Sequence, residues 1–137
     1  MAARLIRGAK KVALYAVGDS YVTLQGFANL LLKIGIVTYS GGLVNKFAHE
    51  IQLLRSQGCK TILVTANAGV RESIAGLECL LLLPEGETTR GSVATYYSQS
   101  SIRFALNCVY GECFAQGWQE SMALRESFAK NDLYLRD

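Results

Sequence analysis

Short apolar runs that give way to small polar residues and then to helix-periodic segments restrict this chain to few architectures. The runs are Val12–Val17, Ile36–Thr38, Thr61–Thr65 and Cys79–Leu83. Val12–Val17 is apolar without alternation, the pattern of a central parallel strand buried on both faces. Between the runs, apolar residues recur at helical spacing. Val22, Leu24, Phe27, Ala28 and Leu30 to Leu32 do so in Tyr21–Lys33, and Phe47, Ala48, Ile51, Leu53 and Leu54 are expected to face inward in Val44–Gln57. Gly35 and Gly58 stand where those two helices should stop.

A helix is also expected over Ala2–Ala9, a short one over Arg71–Ala75, a long one from Ser92 or Val93 to about Gln116, and a last one from Trp118 or Gln119 to Lys130. The order is therefore helix, strand, helix, strand, helix, strand, short helix, strand, helix, helix. It predicts an α/β fold: a doubly wound parallel sheet of four to five strands flanked by helices in three α/β/α layers. Ligands of such sheets bind beyond the carboxyl ends of the strands.

The size of the chain, 137 residues, suits a single domain over 1–137. The net charge of +3 comes from scattered Lys and Arg, which is too weak a balance to argue for nucleic acid. Cys59, Cys79, Cys108 and Cys113 have neither C-x-x-C spacing nor a histidine pattern around them, so neither zinc nor thioredoxin-like chemistry is expected, and reduced core thiols are. No metal or cofactor is called for. With no signal-like start and no apolar run near the ~20 residues of a membrane span, a cytoplasmic protein is expected.

Four loops should open on one crevice: Gly18–Ser20, Thr38–Leu43, Thr65–Gly69 and Glu85–Gly91. Gly18-Asp19-Ser20 and Thr38-Tyr39-Ser40-Gly41-Gly42-Leu43 both read as strand-to-helix turns. Such turns hold anions because a helix start leaves backbone N–H groups free, the macrodipole adds positive charge, and glycine lets the main chain approach. Ser20, Thr38, Ser40 and Thr88 offer hydroxyls, and Gly41 and Gly42 offer amides. Walker and dinucleotide spacings are both missing, which leaves phosphate without a nucleotide. Glu85 or Glu87 could act as a base or bond sugar hydroxyls; no second acid/base partner can be named, so hydroxyl contact is expected and no catalytic residue is assigned. His49 lies on the order of 10 Å along its helix, too far to serve a ligand at the helix start, and a surface role is expected. Arg90 reads as a solvated loop charge.

With these motifs in this order, the chain resembles the SIS (sugar isomerase) domain, and within that group the ligand-binding domain of RpiR-type transcriptional regulators. The turn S-x-S-G-x-T is similar to Thr38–Leu43 and the G-x-S turn to Gly18–Ser20. Val64-Thr65-Ala66-Asn67 is similar to the family's strand ending in Thr-Asp/Asn, and Glu85–Gly91 to its acidic loop. The resemblance implies a SIS-type sheet of flavodoxin-like order. It also implies a phosphate site formed by Gly18, Asp19, Ser20, Thr38, Tyr39, Ser40, Gly41 and Gly42, and sugar contacts from Asn67, Glu85, Glu87 and Thr88. It further implies a homodimer or higher oligomer through the C-terminal helices, and a separate upstream helix-turn-helix domain through which alone DNA would be bound.

Two departures accompany the resemblance. Leu43 stands where the motif has a hydroxyl residue, so one phosphate hydrogen bond, worth about 1.5–3 kcal/mol to a charged group, is lost. Only Lys33–Val37 separates the first long helix from the S-x-S-G strand, where family members have a further strand and connection. A break in the chain between Lys33 and Tyr39 is expected on that ground, the other reading being a genuine lack of the edge strand. Three functions follow as expectations: a phosphosugar sensor, an aldose–ketose phosphate isomerase, or a dimerisation domain whose pocket has decayed.

Overall fold

The computed structural model describes residues 1–42, 47–74, 76–84 and 96–131. Helix α1 (Ala2–Arg7) is followed by strand β1 (Val12–Ala16), helix α2 (Ser20–Leu32) and strand β2 (Thr38–Gly42). Helix α3 (Phe47–Ser56), strand β3 (Ile62–Thr65), helix α4 (Val70–Ser73) and strand β4 (Cys79–Leu82) come next. Helices α5 (Tyr96–Gln116) and α6 (Trp118–Asn131) complete the order. It is the α/β alternation read from the sequence, with element limits shifted by a few residues.

The sheet differs from expectation. Among the described residues the four strands form two parallel pairs, β1 with β2 and β3 with β4, and no ladder joins the pairs into one sheet of four or five strands. In the first pair Val12 opposes Thr38 and Ala16 opposes Gly42; in the second Ile62 opposes Cys79 and Thr65 opposes Leu82.

A main core unites α1, α2 and α5 with one face of each pair. It contains Ala3, Ile6, Leu24, Phe27, Leu31, Ile34, Leu106, Val109 and Cys113, with Val12, Leu14, Ala16, Ile62, Val64 and Leu81 packed against it. Period-2 alternation sends the neighbours of these strand residues the other way. In β3–β4, Leu63 and Leu80 meet Ile51 of α3 and Ile74 in a second, smaller cluster. In β1–β2, Tyr15 and Tyr39 are instead 45% and 61% exposed. The expectation that β1 is buried on both faces is thus corrected: its apolar run lacks polar residues, but only Val12, Leu14 and Ala16 are covered.

Helix α2 ends in a Schellman motif. Gly35 takes φ +81, its N–H donates to the Leu32 carbonyl at 3.0 Å, and Ile36 N–H donates to Leu31 at 3.0 Å. A side chain at that φ is strained, and a Cβ there would also meet Leu124 Cδ1 at 2.9 Å. This compact turn carries the chain from α2 to β2 without interruption, which corrects the expected break between Lys33 and Tyr39. The connection is short because the Schellman turn reverses the chain within Leu31–Ile36.

Other expectations are corrected by burial. Leu53 and Leu54 of α3 face solvent at 57% and 40% exposure, while Ile51, among the described side chains of α3, reaches the β3–β4 surface. Phe104 and Cys108 of α5 are exposed, since α5 turns Ile102, Leu106, Val109 and Cys113 to the core. Of the four thiols, Cys79 and Cys113 are buried and Cys59 and Cys108 exposed. His49 is exposed, as expected.

One polar contact set closes the α1–α5–α6 corner. The Arg7 guanidinium donates to the Cys113 carbonyl, one of the last four of α5, and to Ser121 Oγ at 2.8 Å, and it lies 3.6 Å from Glu120. It packs flat on Gly117, where a Cβ would overlap it. Ser121 is fully buried, so this bond satisfies a hydroxyl with no access to water.

Candidate functional site

Parallel pairing of Ala16 with Gly42 sets the carboxyl ends of β1 and β2 side by side. From there the chain leaves β1 through Val17 and Gly18. Gly18 adopts φ +58, a left-handed conformation that redirects the backbone into α2 at the Asp19 N-cap. The amides of Tyr21 and Val22 bond back to the Gly18 and Asp19 carbonyls at 3.0 and 3.2 Å, which consumes two of the donors a helix start offers. The Asp19 carboxylate makes no cap hydrogen bond, and the residue has a polar partner elsewhere. Ser20, half-buried, begins the helix.

The Ser20 hydroxyl belongs to a short chain of hydrogen bonds. Gln99 Nε2 on α5 donates to Ser20 Oγ at 3.4 Å, and Gln99 Oε1 accepts from the buried Thr23 hydroxyl one turn along α2. Among the described side chains, this relay ties the first turn of α2 to α5.

Strand β2 corrects the reading of Thr38–Gly42 as a turn. Backbone pairing with β1 runs through both glycines, so the strand includes the whole motif up to Gly42. Thr38 opposes Val12 at the amino end, about 13 Å from Gly42 at ~3.3 Å per residue. Ser40 opposes Leu14 in mid-strand, and its hydroxyl accepts from Gln25 Nε2 of α2 at 2.8 Å. Tyr39 points to the opposite, exposed face. Of the eight residues expected around a phosphate, Gly18, Asp19, Ser20 and Gly42 come together at the carboxyl end. Gly41 lies one residue below it, and Thr38, Tyr39 and Ser40 lie away from it. Leu43 lies outside the described residues.

Asn67 follows β3 at its carboxyl end and is exposed, but its side chain is used locally. Its Oδ1 accepts from Gly69 N–H at 3.0 Å, and its own N–H donates to Thr65 Oγ1 at 3.1 Å, forming an Asx turn before α4. Glu85, Glu87 and Thr88, the remaining sugar-contact expectations, lie outside the described residues, as does Arg90.

Away from this end, two titrating groups are displaced from their ordinary ranges. Thr61 N–H donates to Glu78 Oε2 at 2.7 Å and holds that carboxyl below its usual value, with Arg55, 3.7 Å away, acting in the same direction. Burial pushes the Cys113 thiol up to about 11, so it stays protonated and inert at neutral pH. No group of three or more His, Cys, Asp or Glu suited to a metal occurs among the described residues. No helix among them is long and apolar enough to cross a membrane.

Gln25, Thr23 and Gln99 were not singled out by sequence reasoning. Ser20 and Gln99 are 79 residues apart, and a lone glutamine in a helix carries no spacing signal.

The architecture is an α/β fold similar to that of a solved sugar isomerase domain. It superposes on the sugar isomerase domain of an RpiR transcription factor from Sphaerobacter thermophilus with a TM-score of 0.70, over 94% of this chain and 83% of that one, at 12% identity. A crystal structure of a hypothetical protein matches with a TM-score of 0.64 over 88% and 79% of the two chains, at 13% identity. No protein-family model and no curated protein matches the sequence. The structural likeness establishes the fold, which resembles that of the sugar isomerase domain of this RpiR transcription factor.

Proposed function

We propose that this chain is the phosphosugar-binding sensory domain of an RpiR-type transcriptional regulator, formed by residues 1–137 as one unit and needing no metal or cofactor. The observation that carries the proposal is the Gly18–Ser20 turn, standing at the carboxyl end of a parallel strand pair in a fold shared with an RpiR sugar isomerase domain. The ligand phosphate sits against the Ser20 hydroxyl and the start of α2, with Gly42 beside it. Asn67, Glu85, Glu87 and Thr88 are the candidates for the sugar. The protein acts in the cytoplasm as a homodimer or higher oligomer through α5 and α6, whose Tyr97, Phe104, Trp118 and Phe128 are exposed. DNA is bound by a separate helix-turn-helix domain.

Thermal-shift titration with a panel of sugar phosphates tests this, because a ligand of the native state stabilises it by about 2.7 kcal/mol at a hundred times its Kd. A saturable rise in Tm without turnover is the expected outcome. Turnover that is lost in Glu87→Gln would assign an isomerase instead. A second reading, a dimerisation domain with a decayed pocket, is favoured by Thr38 standing at the wrong end of β2 and by Ser40 already being bonded to Gln25. No shift with any sugar phosphate, at concentrations well above expected affinities, would favour that reading.

A further inference from the structure

We infer that Gln99 is a positioning residue for the anion site, holding the Ser20 hydroxyl so that its hydrogen is turned toward the ligand. The inference rests on the phosphosugar reading and names a part of that site which no motif contains.

A serine hydroxyl has one hydrogen to donate and two lone pairs that accept. At Ser20 one lone pair receives the Gln99 Nε2 hydrogen at 3.4 Å. An amide N–H cannot accept, so the Ser20 hydrogen has no use toward Gln99 and is left for a group on the crevice side. Had the amide been turned over, its oxygen would capture that hydrogen and Ser20 would present only lone pairs, which repel an anion. Thr23 completes the arrangement. Its hydroxyl donates to Gln99 Oε1, so the amide oxygen lies on the Thr23 side and the NH2 on the Ser20 side. Thr23 is buried at 8% exposure, so a competing water does not exchange with this bond freely.

The direction of donation thus runs from Thr23 to Gln99 to Ser20 and on to an acceptor. A phosphate oxygen is the acceptor of the chemistry proposed for this turn, and a hydrogen bond to a charged group is the stronger kind. The relay matters more here because Tyr21 and Val22 have spent their amides within the turn. It also gives α5 a mechanical link to ligand occupancy, since the amide that orients Ser20 is carried on α5.

The test is a double-mutant cycle read by isothermal titration of the full chain with glucose 6-phosphate, fructose 6-phosphate, glucosamine 6-phosphate and inorganic phosphate. Circular dichroism confirms that each variant is folded. Ser20→Ala should weaken the best of these probes roughly tenfold or more. Gln99→Leu should weaken it roughly three- to tenfold in the wild-type background and not at all in the Ser20→Ala background, because both changes remove the same donated hydrogen. Thr23→Val, which leaves Gln99 in place but frees its amide to turn over, should lower affinity in the same direction and serves if Gln99→Leu fails to fold. Wild-type affinity in Gln99→Leu or in Thr23→Val, or a Gln99→Leu loss that adds in full to that of Ser20→Ala, overturns the positioning role while leaving the phosphosugar reading intact. No binding of any probe by the wild-type chain overturns both.

Discussion

The two strand pairs use similar apolar runs and end in different environments. In β3–β4 both faces are covered: Ile62, Val64 and Leu81 join the main core, and Leu63 and Leu80 meet α3 and Ile74. In β1–β2 one face packs beneath α2, and the other exposes Tyr15 and Tyr39. The three-layer arrangement is therefore realised at β3–β4 and reduced to two layers at β1–β2, among the described residues. The cause is local. Helix α3 follows β2 in sequence, but among its described side chains the buried Ile51 packs on the β3–β4 surface. A strand's apolar content thus states what it is able to bury, while the placement of the next helix decides what it does bury.

The largest break in this comparison should come from the main core that both pairs share. Leu31→Ala empties a fully buried position under β1–β2 and should cost about 2–5 kcal/mol, measured by urea denaturation. Leu63→Ala, between the layers of β3–β4, should also fall in the range of about 2–5 kcal/mol, toward its lower end because the cluster around it is small and can relax. Equal losses at the two positions would contradict the difference in core size.

Arg7→Ala should cost roughly 1–3 kcal/mol, the penalty for stranding the buried Ser121 hydroxyl and an α5 end carbonyl. Arg7→Lys should not restore it, because a single ammonium does not reproduce the fork that meets both acceptors across Gly117. A lysine variant as stable as wild type would show that charge rather than geometry holds this corner.

A smaller effect is expected from pH at the β3–β4 end. The Glu78 carboxyl is held below its unfolded value, so its contribution is present above that value, near 4.5, and fades as pH falls through the lower folded value. Between pH 6 and the acid range, Glu78→Gln should lose less stability than wild type does. The solvent-accessible position of this pair keeps the difference small. Identical acid profiles would mean that the Thr61 bond adds nothing. The smallest change is expected on the open face of β1–β2: Tyr15→Ser and Tyr39→Ser should each stay near ~0.5 kcal/mol, as surface substitutions do. A loss of 2 kcal/mol or more at either tyrosine would show that the face is covered in solution.

Much of the fold was legible because periodicity and punctuation are local. The runs at Val12, Thr61 and Cys79 became strands, and Gly35 stopped α2 through the Schellman geometry that only a left-handed residue allows. Gly18-Asp19-Ser20 was also legible, since a strand, a glycine and a hydroxyl in succession specify a strand-to-helix turn. Thr38–Gly42 was misread for a reason of the same kind. Glycines and hydroxyls favour turns locally, but cross-strand pairing with Val12–Ala16 gives their backbone groups partners and overrides that preference.

By itself, then, the sequence determined the α/β alternation, the helix stops and the turn at Gly18, all of which depend on residues a few positions apart. Tertiary structure alone decided which face of each strand is covered, that Ser40 answers to Gln25, and that Ser20 answers to Gln99 and through it to Thr23. Those outcomes depend on where α3 and α5 come to rest, and contacts across tens of residues leave no period in a sequence for a reader to find.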